Sequence, residues 1–308
     1  MRRKINRVGQ STLTVSIPSK WAKLHNLKKG SEINLEEYDN SLVISKGEVK
    51  PLEKETEIEL EHGGRYTRRA MVNFYRLGYD SIKVRYSNKE VIETINKTMH
   101  DYMGFEIVEQ SRGFCHIKEV GKVSKEDFQQ MFTRYLRITS TIFSEGMAAI
   151  SEKRYSDLKE YLDMESLQNR FYLVCLRIIS KFGKEVTKSP ESMTLLIRNL
   201  EDLADIAKYT YREIIKNEGC SREVESFIKE TFKLMEIIYS LCFKFDENKA
   251  NLIMQQKEKL LVKANDLLRK ADRKELLIVH YTIDILIHFF YAESPIFGIY
   301  LADKLIKS

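Results

Sequence analysis

Two pairs of side chains in the C-terminal half have the types and spacing to hold a metal ion. Glu201 and Asp205 are four residues apart in a helical pattern, so both carboxylates lie on one flank of the seam formed by Leu196, Leu200, Leu203 and Ala207. Like charges at this spacing mildly destabilise a helix. The offset is either a cation or the neighbouring Arg198 and Lys208, each three residues from one carboxylate. Asp284 and His288 repeat the spacing in the last helical pattern, with His280 four residues earlier. Two carboxylates suit a hard ion such as Mg, whereas carboxylate plus imidazole suits Zn, Fe, Ni or Mn. A third candidate is the turn His62-Gly63-Gly64-Arg65, where glycine amides at a strand-to-helix junction and the Arg65 charge could hold an oxyanion. No nucleophile–base constellation and no Gly-rich nucleotide loop occurs, and His25, His62, His100 and His116 fit no ligand spacing, so the chain does not read as an enzyme.

The fourth candidate is electrostatic. Arg2, Arg3, Lys4, Arg7, Lys20, Lys23, Lys28 and Lys29 precede the first acidic residue, Glu32. These thirty residues therefore carry +8, and the remainder sums to −2 of the formal +6. A basic end on a near-neutral body is the footprint of a polyanion binder. Phosphates need only the charge, but reading base edges needs Arg or Gln, and Arg3, Arg7 and Gln10 have those types.

The elements that must position these groups fall into three segments. Ten of the thirteen glycines lie at or before Gly146, so a turn-rich part precedes a part made of long helices. In residues 1–46, Thr12 to Ile17 alternates with period two and Pro18 ends the strand. Ser19 to Leu24 makes a short helix with Trp21 and Leu24 facing inward, and strands over Glu32–Tyr38 and Leu42–Ile44 flank the turn at Asp39-Asn40. So short a segment cannot enclose a core alone, which predicts an intertwined dimer. Residues 50–120 read as strand–helix–strand–helix–strand–strand, with Gly78 and Gly104 closing the two helices. Residues 121–308 hold six helical patterns, Ser124–Ser151, Tyr155–Lys181, Pro190–Asn217, Ser221–Lys244, Asn248–Lys270 and Lys274–Leu305, grouping as two sets of three. The four cysteines have no paired spacing, which fits a reducing cytoplasm, and Asp284 with its flanking histidines interrupts the most apolar stretch, so no membrane insertion is expected.

Arg3-Lys4-Ile5, Val8-Gly9, Thr14 to Pro18, Leu27 to Glu32 and Leu42 to Ser45 together resemble the AbrB-type swapped-hairpin DNA-binding domain. The resemblance implies a dimeric β-barrel that contacts double-stranded DNA through basic loops and first-strand residues: Arg2, Arg3, Lys4, Arg7, Gln10, Lys20 and Lys23. Arg198, Leu200, Glu201, Ala204, Asp205 and Ala207 resemble the PhoU family of phosphate-uptake regulators. That family has two three-helix repeats, each with a metal-holding motif of the Arg-x-x-Glu-x-x-x-Asp type. The second copy departs from it: Asp284 and His288 stand where Glu and Asp are expected, and Tyr281 takes the Arg position. Leu77 to Asp80 and Gly104 to Glu109 look like the linker unit of archaeal fusions of these two families.

The implied fold is multidomain α+β: an AbrB-like head over 1–46, a small α/β linker domain over 50–120, and a PhoU-like six-helix bundle over 121–308. The implied activity is transcription regulation of phosphate uptake in the cytoplasm, by a homodimer that binds operator DNA and senses phosphate status through a ligand, a metal or phosphate ABC transporter components. The alternative is a transporter-associated signalling protein whose head serves mainly to dimerise.

Overall fold

The computed structural model describes residues 3–38, 41–46 and 53–305. The chain divides into two compact units, Met1–Glu53 and Lys54–Ser308.

The first unit contains two separate antiparallel ladders. Strand β1 (Ile5–Val8) pairs with β2 (Thr12–Val15), setting Ile5 opposite Val15 and Arg7 opposite Leu13. The alternation had announced only the second of these strands. Gly9, at φ +72°, turns the chain between them, a conformation that glycine adopts without a Cβ clash. Helix α1 (Ser19–Leu24) follows Pro18, and β3 (Asn34–Tyr38) pairs with β4 (Ser41–Ser45), setting Leu35 opposite Ile44. In this single chain the ladders are two two-stranded sheets and not a closed barrel. Trp21 is half-buried, but Leu24, expected inward, is 76% exposed. No described residue of this unit is fully buried, and Ile5, Val8, Leu13, Val15, Leu35 and Leu42 all face solvent.

The second unit begins with the strands β5 (Glu55–Leu60), β6 (Ser81–Tyr86), β7 (Phe105–Ser111) and β8 (Phe114–Glu119), which form a four-stranded sheet of order β5-β6-β8-β7. Helices α2 (Gly64–Arg76) and α3 (Lys89–Thr98) complete it, as the sequence pattern predicts. Gly78 takes positive φ just after α2, as expected, whereas α3 ends at Thr98, so Gly104, also at positive φ, turns the chain into the strand Phe105–Ser111 and does not close the helix. The sheet's apolar positions, including Leu60, Ile82, Val84, Cys115 and Ile117, are buried. On the opposite face Glu57 stands opposite Lys83 and Glu59 opposite Arg85, and Arg85 also pairs with Glu57, so that face is charge-compensated across strands.

The helical region comprises α4 (Phe128–Ser151), α5 (Leu158–Phe182), α6 (Pro190–Lys216), α7 (Arg222–Phe232), α8 (Leu234–Phe243), α9 (Glu247–Lys270) and α10 (Leu276–Leu305). The fourth expected helix is broken at Lys233 into α7 and α8. Helices α4, α5 and α6 pack together, α10 packs on α7, α8 and α9, and the α6–α10 contact is the most extensive between any two elements described. Buried Tyr211 of α6 lies so close to Gly146 of α4 that an added Cβ would sit 2.1 Å from its hydroxyl oxygen. That hydroxyl donates to the Ile142 carbonyl at 2.5 Å. By length and composition the segment Arg273–Leu305 could cross a membrane, but Ile278, Ile285, Leu286, Phe289 and Ile296 are buried in the bundle.

Residue 120 marks a change of element type but not a break in packing. Helix α5 touches α2 on one side and α4 and α6 on the other, and every residue from Phe171 to Ile179 is buried. Within that run lies Arg177, which is fully buried. Its guanidinium donates to the Tyr75 and Tyr79 carbonyls at 2.9 and 2.7 Å and pairs with Asp80 and Glu119, each at 3.0 Å. The rings of Tyr75 and Phe105 lie 5.1 and 4.7 Å from it. One turn on, Lys181 reaches Asp80 at 2.6 Å and Glu119 at 2.8 Å. Two cations and two carboxylates thus neutralise one another where α5 meets the α/β segment. Burial works to raise the Asp80 carboxyl, but hydrogen bonds from Lys181 and the Lys54 amide hold it below the usual carboxylate range.

Candidate nucleic-acid interface and carboxylate cluster

The basic side chains of the first unit are held on short elements with little else to do. Arg3 and Lys4 precede β1, Arg7 lies near its end, Gln10 sits in the hairpin turn, and Lys20 and Lys23 lie on α1. All six are exposed, and among the described residues none of the five cations is in an ion pair. Arg2 lies outside the described residues. Arg7 shares a hairpin face with Ile5, Leu13 and Val15, so a partner covering those apolar groups would leave Arg7 at the margin of the contact. Lys28 and Lys29 extend the uncompensated charge. Such a surface can neutralise phosphates, and its Arg and Gln side chains can donate to base edges.

Residues 7–54 match the family model for MazE, a bacterial antitoxin in antidote-toxin recognition. Over these residues the first unit is similar to MazE/AbrB-type domains. The match ends at residue 54, before the α/β and helical segments begin. No curated protein and no solved structure matches the chain.

In the helical region α6 brings Glu201 and Asp205 together as its spacing predicts, and supplies their counter-charges too. Arg198 lies 3.3 Å from Glu201 and 2.7 Å from Asp202, and Lys208 lies 2.7 Å from Asp205 and 3.2 Å from Glu165 on α5. Only 12% of the Glu201 side chain is exposed, and its Oε2 is buried without a hydrogen bond, because the nearby Arg198 N–H is poorly aimed. Burial pushes the Glu201 carboxyl up to about 7. Arg198 opposes the rise, while Asp205, Asp202 and Glu165 add to it.

On α10, Asp284 and His288 do not converge. The Asp284 carboxylate lies 3.6 Å from the His280 ring, whereas His288 Nδ1 donates to the Asp284 backbone carbonyl at 2.9 Å. Both residues are half-buried rather than enclosed, because this side of α10 faces away from the core. Among the described residues no three His, Cys, Asp or Glu side chains converge on a point that a metal ion could occupy. As arranged, the cluster on α6 is a salt-bridged flank in which Arg198 and Lys208 stand where a cation's charge would be, and it does not fit a resident metal.

The glycine turn also has a packing role. The Gly64 amide donates to Thr94 Oγ1 at 2.8 Å, and a Cβ on Gly63 would sit 2.4 Å from Glu90 Cγ. Gly63 therefore admits α3 against the start of α2. Thr94 already takes the Gly64 amide and Glu90 lies against Gly63, while Arg65 remains exposed.

The arrangement that sequence reasoning missed is the Arg177 cluster. Its signal is a lone arginine inside the apolar run Phe171 to Ile179, where a helix with one solvent face would not place a cation among so many consecutive apolar residues.

Proposed function

We propose that the protein is a homodimeric DNA-binding transcription regulator, with the MazE/AbrB-like head as its DNA-contacting part. The observation that carries this reading is the exposed basic side chains of residues 3–29, a stretch without an acidic residue, in a unit whose own residues leave its apolar side chains uncovered. Pairing with a second copy would bury Ile5, Leu13 and Val15 and double the positive charge presented to one duplex. The helical region then senses phosphate status, by contact with a small ligand or with phosphate-transporter components. That part rests on the resemblance around Arg198 to Ala207. Anisotropy titration of the full chain on duplex DNA tests the reading. If all eight basic side chains of one protomer meet phosphates, log K falls against log salt with a slope of about −7. Binding that is absent, or that salt leaves unchanged, overturns it.

The family match favours one further reading, an antidote that captures a toxin protein through its head. Co-purification of a stoichiometric partner through residues 7–54, without DNA affinity, would establish that reading in its place.

A further inference from the structure

Helix α2 carries much of its charge at the unfavourable end. Arg65, Arg68 and Arg69 lie among its first six residues, Arg76 is its last, and it contains no acidic residue. The start of a helix favours carboxylates over cations, and like charges four residues apart, as Arg65 and Arg69 are, repel one another. Other helix faces of the body balance their charges: Arg198 pairs with Asp202 and Lys270 with Asp266, each at 2.7 Å across one turn. Of the four arginines on α2, only Arg68 reaches a carboxylate among the described residues, Asp101 at 3.6 Å. Arg65 borders a groove that Glu90 and Glu93 also line, and pairs with neither. Arg76 donates to Asn73 Oδ1 at 2.7 Å, a neutral partner on the same helix.

Helical spacing gathers Arg65, Tyr66, Arg69, Asn73 and Arg76 on one face of α2. Tyr66 is 61% exposed, and Arg65 and Arg69 are exposed beside it, so a phenol and two unpaired guanidinium groups meet solvent together. Arginine and tyrosine are side chains that donate to phosphate oxygens. From Arg65 to Arg76 the face is about 16 Å long, over which one strand of a duplex presents about five phosphates. We propose that this face grips the phosphate backbone of the duplex that the head binds, as a second DNA contact carried by the body. The contact is to the backbone, so it adds affinity and salt dependence without choosing a sequence. This deepens the proposed function and rests on the reading of the head as a DNA-binding part.

Anisotropy titration of the full chain on a long duplex, repeated across a salt series, tests the proposal. Arg65→Ala with Arg69→Ala should reduce the salt slope by about two, equally on every sequence. Both residues are exposed and alanine suits a helix, so this double variant should melt like wild type. Arg134→Ala with Arg137→Ala removes two exposed cations from α4 and should leave the slope unchanged. A wild-type slope in the α2 variant, or an equal reduction in the α4 variant, overturns the proposal. If Arg3→Ala and Arg7→Ala lower the slope while the α2 variant does not, the head reading stands and the contact through α2 falls. If the α2 variant lowers it while the head variants do not, the contact through α2 stands and the head reading falls. Polyglutamate that binds wild type but not the α2 variant, with the DNA slope unchanged, would overturn the proposal in favour of an acidic protein.

Discussion

The two units of this chain solve opposite problems. The head, Met1–Glu53, buries none of its described residues completely and leaves its cations uncompensated. The body, Lys54–Ser308, buries even an arginine and surrounds it with two carboxylates and two main-chain carbonyls. A short chain of strands cannot shield its own apolar face, so that face needs cover from outside the segment itself. A large helical unit has interior to spare, and can place a charge there once every donor is satisfied. The contrast teaches which properties a segment can supply from its own residues and which it cannot.

The sharpest way to break the body is Arg177→Ala. It strands Asp80 and Glu119 near one another with Lys181 as their remaining cation, and removes the donors to Tyr75 and Tyr79. Loss of one partner from a buried pair costs about 3–5 kcal/mol. Calorimetry should show a large fall in Tm, and hydrogen exchange should rise in α2 and in the strand Ser81–Tyr86. A variant that melts like wild type would show that the cluster contributes little to the docking of the α/β segment on α5.

The corresponding break in the head is Leu13→Asp. On a hairpin face that needs a partner, this change should weaken self-association about a hundredfold, roughly 3 kcal/mol, while leaving the melting of the body unchanged. Sedimentation velocity across a dilution series reads the first effect and calorimetry the second. Unchanged association would mean that the hairpin faces are not what holds two copies together.

The parts most legible in the sequence were those with local signals. The βαβαββ order of residues 55–119 followed from period-two and helical runs, the first helix closed by Gly78, and the helices of the last segment followed from their apolar seams. Strand β1 was not legible, because Ile5 to Val8 is too short and too polar to alternate visibly. Nor was the packing of the α/β segment onto α5, since Asp80, Glu119 and Arg177 lie 39 and 58 residues apart along the chain and only tertiary structure joins them. For the candidate sites, i, i+4 spacing told which side chains share a helix face but not what already occupies it. Glu201 and Asp205 were found together, yet with Arg198 and Lys208 in place; Asp284 and His288 share a face while their side chains turn to different partners.

Two carboxyls of the body give opposite pH dependences, which sharpens the same comparison. The Glu201 carboxyl is raised above its unfolded value, so its contribution is present at acid pH and is lost as pH rises through about 7. Asp80 is held below its unfolded value, so its contribution is present at neutral pH and is lost as pH falls through the folded value. Glu201→Gln should therefore flatten the stability profile between about pH 5 and 8, an effect on the order of 2 kcal/mol, while leaving the acid limb in place. Urea melts at a series of pH values read both limbs, and a wild-type profile flat across neutral pH would contradict the burial argument for Glu201.

The smallest effects belong to the head's individual charges. Each basic side chain that meets a phosphate adds about 0.9 to the salt slope, so Arg3→Ala and Arg7→Ala should each reduce it by about one. If Arg7 also reads a base, its removal costs about 1–3 kcal/mol on the preferred sequence and much less on unrelated duplexes, whereas a phosphate contact is lost equally on all of them. Gln10→Ala divides the same way, but with no change in salt slope because it carries no charge. Neither change should move the melting of the body or the self-association of the head, since Arg7 and Gln10 are exposed and Arg7 would lie at the margin of a paired face. A slope unaltered by either arginine would place the nucleic-acid contact away from the first hairpin, leaving Lys20, Lys23, Lys28 and Lys29 to make it.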